Sequence, residues 1–248
     1  MSFVSWYESL RWAVVVFLVF VGPFLDVRLM KRMRETRESA LRLKFYRYGT
    51  VSLWTTGIVC YALIGSRGVI RVAPVVLAQA GWLSRWGWRV GAVGLCAGFF
   101  VLALLPGVVC LFRERSRKAY TAAVVKSGIS FILPIGNLER RWYAVLSVAA
   151  GICEEVIFRG FLLTFARDEL RMGLLVALLA TSVVFGFNHL YQGFGGIVKT
   201  ALVGLMLGLV AVLSGGLLLP MMLHAAIDLQ MLAMYKPAAE ETATATVA

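Results

Sequence analysis

Acidic side chains are scarce in this chain: 13 Asp and Glu stand against 25 Lys and Arg in 248 residues. Charge of either sign is scarce as well, at 15% of residues, where soluble domains carry about a quarter. With 60% of residues hydrophobic and a mean hydropathy of +0.82, the interior of a soluble fold this size cannot hide the apolar surface, and lipid takes the excess. No polar stretch is long enough to form a soluble domain. The net charge of +12 therefore reads as short inside loops rich in Lys and Arg and not as a nucleic-acid surface. The four cysteines, Cys60, Cys96, Cys110 and Cys153, form no CxxC pair and lie in apolar runs, which excludes a disulfide framework or a zinc knuckle. Cys153 adjoins Glu154, but a thiol among apolar side chains behaves as a small hydrophobe. Neither HExxH nor GxSxG occurs, so two common hydrolase signatures are missing.

What is present is a series of apolar runs separated by basic loops. Residues 12–25 form the first; without a basic leader or a small-residue cleavage site, the run reads as a retained span. Residues 26–47 carry eight basic and three acidic side chains, the strongest inside signal, which puts the N-terminus outside. Further spans are read over 48–64, 90–112, 142–165, 172–190, 196–213 and 217–235. Residues 66–89, with four Arg and with Trp82, Trp86 and Trp88, suggest an outer loop with an interfacial helix. The run Arg113-Glu-Arg-Ser-Arg-Lys118 is a second inside signal. Residues 120–137 hold Lys126 and Pro134 and fit a span, a re-entrant hairpin or a surface helix. Residues 237–248 are rich in Ala, Thr and Glu without periodicity, as in disordered tails. The expected fold is all-α: a polytopic transmembrane bundle of seven or eight helices enclosing a polar cavity, with residues 1–236 as one membrane-embedded domain.

Polar side chains at bilayer depth are costly and so mark candidate sites. Three constellations qualify: Glu154-Glu155-x-x-x-Arg159, Phe185-x-x-x-His189 and His224-x-x-x-Asp228, which use both histidines of the chain. Glu154 lies 12 residues past Trp142, about 18 Å along a helix and near the middle of a roughly 30 Å core. Glu155 and Arg159 are i,i+4 on one face and can form an ion pair. Glu154, turned about 100° away, is left as the titratable group, suited to general acid or base chemistry. His224 and Asp228 are also i,i+4, so the carboxylate can accept from one imidazole nitrogen and set the tautomer. Their helix is expected to begin near Pro220, which suits a first turn. Phe185 reads as packing and Asn188 as a hydrogen-bond donor. For His189 to reach bilayer depth, residues 190–196 have to dip inward along a polar cavity. Gly94-x-x-x-Gly98 and Gly204-x-x-x-Gly208 are close-packing signals between helices.

The three constellations, in this order and each on its own late helix, resemble the CaaX-protease and bacteriocin-processing family (CPBP, also called ABI), whose eukaryotic members are the type II CaaX-prenyl endopeptidases. The resemblance covers residues 142–235. It implies a glutamic-type intramembrane endopeptidase that needs no metal or other cofactor. On this resemblance Glu154 is the water-activating base, assisted by His189, while His224 and Asp228 form the oxyanion side. The last position is often Asn in the family, and an ionised Asp cannot donate to an oxyanion. Asp228 is therefore expected to orient His224, which alone donates.

The expected partners are membrane lipid and a peptide or protein substrate, lipidated or membrane-anchored, with no nucleic acid. The expected location is a bacterial inner membrane, crossed several times. Two other classes stay open on the residues alone. Two His and two Glu are a possible zinc ligand set, and buried Glu, Arg, His and Asp also serve proton-coupled transporters and non-enzymatic immunity or scaffold proteins.

Overall fold

A computed structural model describes residues 3–25, 27–64 and 86–237. The interfacial helix expected within 66–89 lies mostly outside these residues, as does nearly all of the tail from 237. Among the described residues the chain is helical and contains no strand. Helix α1 (Phe3–Val16) runs into a π-turn (Phe17–Val21) and a 3-10 turn (Gly22–Phe24) that holds Pro23. Then come α2 (Val27–Thr36), α3 (Ser39–Ile64), α4 (Trp86–Phe112) and α5 (Glu114–Ser127). Helix α6 (Asn137–Glu155) passes through a π-turn (Val156–Leu162) into α7 (Leu163–Asp168). Helices α8 (Leu174–Phe187), α9 (Gly193–Ser214), α10 (Leu218–Leu229) and α11 (Met231–Met234) complete the fold.

Among the described residues three helical stretches are long and apolar enough to cross a membrane: Trp6–Thr36, Arg89–Phe112 and Leu190–Ser214. Leu174–Phe187 and Leu218–Met234 are apolar but shorter. The segment 120–137 resolves into the end of α5, a left-handed Gly128 (φ 74°) and a 3-10 turn over Ser130–Ile132. At 14 residues, α5 reaches about 21 Å, short of a roughly 30 Å core, and it carries Glu114, Arg115, Arg117, Lys118 and Lys126. The equally short α8 is apolar throughout, so it is the charge of α5, more than its length, that speaks against a span. Helix α10 starts at Leu218, two residues ahead of Pro220, so the proline does sit in its first turn.

Helix α6 lies between α3 and α10, and α8 packs on α9. The α6–α10 contact is very close. A Cβ on Gly151 would stand 2.7 Å from both the Cβ and the amide nitrogen of Ala225, so only glycine lets the two backbones approach this far. At its N-terminal end, ahead of the apolar run, α6 is tied to α3 by a buried ion pair. Arg42 donates to both carboxylate oxygens of Glu139, at 3.1 and 2.9 Å, and the Ile135 amide donates to the same carboxylate at 2.6 Å. Burial alone would push the Glu139 carboxyl up, but the Arg42, Ile135 and Ser39 hydrogen bonds outweigh it and hold the group below its ordinary range.

One packing expectation fails. No atom lies within 4 Å of where a Cβ would stand on Gly94 or Gly98. Among the described residues α4 packs on α9 through Cys96 and Phe100, against Met206, Leu207 and Val210, and not through the two glycines, because spacing alone specifies a small-residue face and not the helix that fills it. Gly204 and Gly208 do meet neighbours, Phe185 at 2.9 Å and Leu178 at 2.8 Å.

Candidate active site

The site is built where α6 ends. From Glu155 to Arg167 every residue is buried, and the π-turn over Val156–Leu162 widens the helix within this stretch. Such bulges are common at functional sites. Arg159 reaches back one turn and donates from Nη1 to Glu155 Oε1 at 2.8 Å. Its Nη2 donates to the main-chain oxygen of Gly204 on α9, also at 2.8 Å. The guanidinium lies over the Phe185 ring, 4.6 Å from its centre. A Cβ on Gly204 would crowd both groups, at 2.9 Å from Phe185 and 3.3 Å from Arg159. A glycine that the sequence marks only for packing is thus also what lets a buried cation reach a backbone oxygen.

Helix α10 brings His224 to the same carboxylate. Its Nδ1 lies 2.9 Å from Glu155 Oε1, so one carboxylate oxygen serves both Arg159 and His224. Glu155 is fully buried, with side-chain exposures of 0% for Glu155 and 4% for Arg159. The other nitrogen, Nε2, lies 3.6 Å from Glu154 Oε2 and 3.8 Å from Asp228 Oδ2. Glu154 Oε2 is buried and has no hydrogen-bond partner among the described residues. Asp228, with a side-chain exposure of 36%, is the most open member of the group.

Asp228 and His224 come within ion-pair distance, as their spacing leads one to expect, but without a hydrogen bond. The carboxyl at hydrogen-bond distance from the imidazole is Glu155, from another helix. Spacing of i,i+4 brings Asp228 near, but its short side chain stops at 3.8 Å. Glu155 comes closer because α6 and α10 are pressed together at Gly151 and Ala225.

His189 sits at the end of α8. Its Nδ1 is 2.9 Å from the Phe185 oxygen; a carbonyl only accepts, so Nδ1 carries a proton, and the neutral form of the ring has its lone pair at Nε2. No hydrogen bond or ion pair joins His189 to Glu154 among the described residues. The Phe185 ring touches both histidines, with centroids 4.9 Å from His189 and 5.7 Å from His224. Phe185 therefore packs, as expected, but at the centre of the site, where it is 1% exposed. Residues 190–196 form no irregular inward loop: a 3-10 turn over Leu190–Gln192 leads at once into α9. Asn188 does donate. Its Nδ2 reaches the Val184 oxygen at 2.9 Å and, across to the π-turn after α1, the Leu18 oxygen at 3.1 Å. Among the described residues no group of three or more His, Cys, Asp or Glu side chains is disposed to hold a metal ion.

The segment that carries these residues, 136–230, matches the family model described as Type II CAAX prenyl endopeptidase Rce1-like. This bears out the resemblance read from the three motifs. A protein of Escherichia coli described as an uncharacterized 24.3 kDa protein is 29% identical over 187 residues, which is 73% of this chain and 75% of that protein. No solved structure matches the chain.

Proposed function

We propose that this chain, with its Rce1-like segment, is a glutamic-type intramembrane endopeptidase that hydrolyses a peptide bond of a membrane-associated protein or peptide. The observation that carries the reading is the contrast within one charge cluster. Glu155 binds Arg159 and His224 through Oε1, whereas its neighbour Glu154 makes no hydrogen bond among the described residues and faces His224 Nε2 at 3.6 Å with a buried Oε2. A buried carboxyl with no structural partner beside an oriented imidazole is what general base catalysis requires.

In this mechanism Glu154 takes a proton from the water that attacks the scissile carbonyl, and later returns it to the leaving amine. His189, with Nδ1–H given to Phe185, offers its Nε2 lone pair to the same water once substrate draws the two helices into register. His224 Nε2, in the imidazolium form, donates to the oxyanion; one such donor is worth about 3 kcal/mol of barrier. Glu155 and Arg159 hold His224 in place, and Asp228 lies on the open side, where water enters a polar cavity. The domain is a single membrane-embedded unit over 1–236 in a bacterial inner membrane. Seven crossings suit the helices best: α1, α3, α4, α6 with α7, α8, α9, and α10 with α11, with α5 along the inner face.

The test compares new protein termini in cells expressing wild type or Glu154→Gln at equal membrane levels. Specific termini should vanish in the variant, with turnover down by about 10²–10⁴-fold, and the lost termini name the substrates. Termini that persist unchanged while a phenotype still depends on Glu154 would overturn the peptidase reading in favour of proton coupling.

A further inference from the structure

The exposed surface changes character abruptly after α1. Phe20, Phe24, Leu25 and Val27 are 69%, 60%, 56% and 44% exposed, as lipid-facing residues are. Helix α2 follows directly and is strongly amphipathic. Met30 and Met33 are buried against Phe131, beside the partly buried Tyr191. Arg28, Lys31 and Arg32 are exposed; at 100° per residue they share the face opposite the two methionines. Glu35 is the one acidic group on that face, and none of the three cations makes an ion pair among the described residues. Cations one to two turns beyond an exposed apolar belt stand at the depth of lipid phosphates, and their long stems let them reach that layer.

The same helix touches the candidate site. Arg34 donates to the Tyr191 oxygen at 3.3 Å and lies over Phe131, 4.9 Å from the ring centre. Tyr191 in turn packs on His189, with ring centroids 5.8 Å apart. On the other side of that turn, Asn188 donates to the Leu18 oxygen, in the π-turn nine residues ahead of α2. The His189 turn is thus held between two points of the α1–α2 segment, and both lie outside the residues that match the family model.

We propose that the Arg28, Lys31 and Arg32 face of α2 docks on the phosphates of anionic phospholipids and that this contact steadies the turn bearing His189. The inference needs the chain to sit in a bilayer but does not need it to be a peptidase. Each cation near an anionic surface favours association about fivefold, so three act together with an effect on the order of a hundredfold.

The test is amide exchange of the full-length protein in nanodiscs of phosphatidylcholine alone and of phosphatidylcholine mixed with phosphatidylglycerol. Exchange in 27–36 and in 190–192 should slow by roughly fivefold or more in the anionic discs. The exposed-site variant Arg28→Gln/Lys31→Gln/Arg32→Gln should exchange at the phosphatidylcholine rate in both. Equal wild-type rates in the two discs, at either segment, overturn the proposal. So does slowing that survives in the triple variant, or slowing produced equally by inorganic phosphate added to the phosphatidylcholine discs, since the face then takes a free anion and not a membrane.

Discussion

Replacing Glu155 by Gln should be far more damaging than an isosteric change suggests. The side chain keeps its shape, and its remaining oxygen, with two lone pairs, can still accept from both Arg159 and His224. It loses the charge that compensates Arg159, whose side chain is 4% exposed. The group replaced by NH2 is Oε2, which has no partner among the described residues, so what is lost is the charge and not the acceptor shared by Arg159 and His224. Removing one partner of a buried pair costs about 3–5 kcal/mol, because the other charge stays buried and uncompensated. For a chain of this size that is roughly 6–20 °C in Tm. Arg159→Met should cost less, since His224 still sits on the orphaned carboxylate. The double variant Glu155→Gln/Arg159→Met should recover about 2–3 kcal/mol relative to the sum of the single changes, as residues of one network do. The assay is unfolding of the purified protein in mild detergent, followed by tryptophan fluorescence, for all four members of the cycle. A Glu155→Gln cost below about 1 kcal/mol, or strict additivity of the two changes, would refute the claim that this pair holds the centre of the site.

Two further outcomes follow from packing and charge. Gly151→Ala should destabilise by about 1–3 kcal/mol through overpacking against Ala225, whereas Gly98→Ala, with no atom within 4 Å, should be neutral or stabilising by up to about 1 kcal/mol; thermal melts of the two variants side by side decide it. The Glu139 carboxyl is held below its ordinary value of 4.5 in the fold, so its tie to Arg42 contributes fully above pH 4.5 and is lost as pH falls through the lower folded value. Wild type should therefore lose more Tm than Glu139→Gln on acidification below pH 4.5, and parallel curves would contradict it.

The parts of this protein legible in its sequence are those set by short-range geometry. Spacing of i,i+4 predicts the Glu155–Arg159 pair, and the structure has it at 2.8 Å. Apolar runs foretell helices at nearly every position where one forms, though α3 begins nine residues ahead of the apolar run, because charged residues extend a helix as readily as apolar ones. What escapes the sequence is set by contacts between distant helices. Nothing local pairs His224 with Glu155, 69 residues away; that pairing depends on the glycine contact at Gly151. Nor does local composition announce the π-turn over Val156–Leu162, since the stretch is apolar around Arg159 on every side and carries no period from which a register could be read. Residues 120–137 are ambiguous in sequence for a similar reason: their apolar content suits a span, and only the left-handed Gly128 (φ 74°) ends the helix early.

The charge balance of the cluster explains why adjacent glutamates take different parts. Arg159 and Glu155 offset one another, and Glu155 Oε1 is shared between Arg159 and His224. The remaining groups are Glu154, His224 and Asp228, and one imidazole has at most one positive charge to share between two carboxylates, at 3.6 and 3.8 Å from Nε2. Asp228 is 36% exposed at the side chain and can be solvated in its ionised form. Glu154 is 15% exposed, and its Oε2 has neither water access nor a donor among the described residues. Its charge has no fixed compensation, which is what supports the proposed role of Glu154 as the group that exchanges a proton with water. Moving the carboxyl by one position, in Glu154→Ala/Cys153→Glu, would turn it about 100° around α6 toward Gly57, which packs so tightly on Cys153 that a Cβ there would stand 3.1 Å from the cysteine Cβ. That variant retains the acid but takes it away from His224, and it should lose specific termini in cells as completely as Glu154→Gln does. Termini that survive the shift would mean that the carboxyl acts without facing His224.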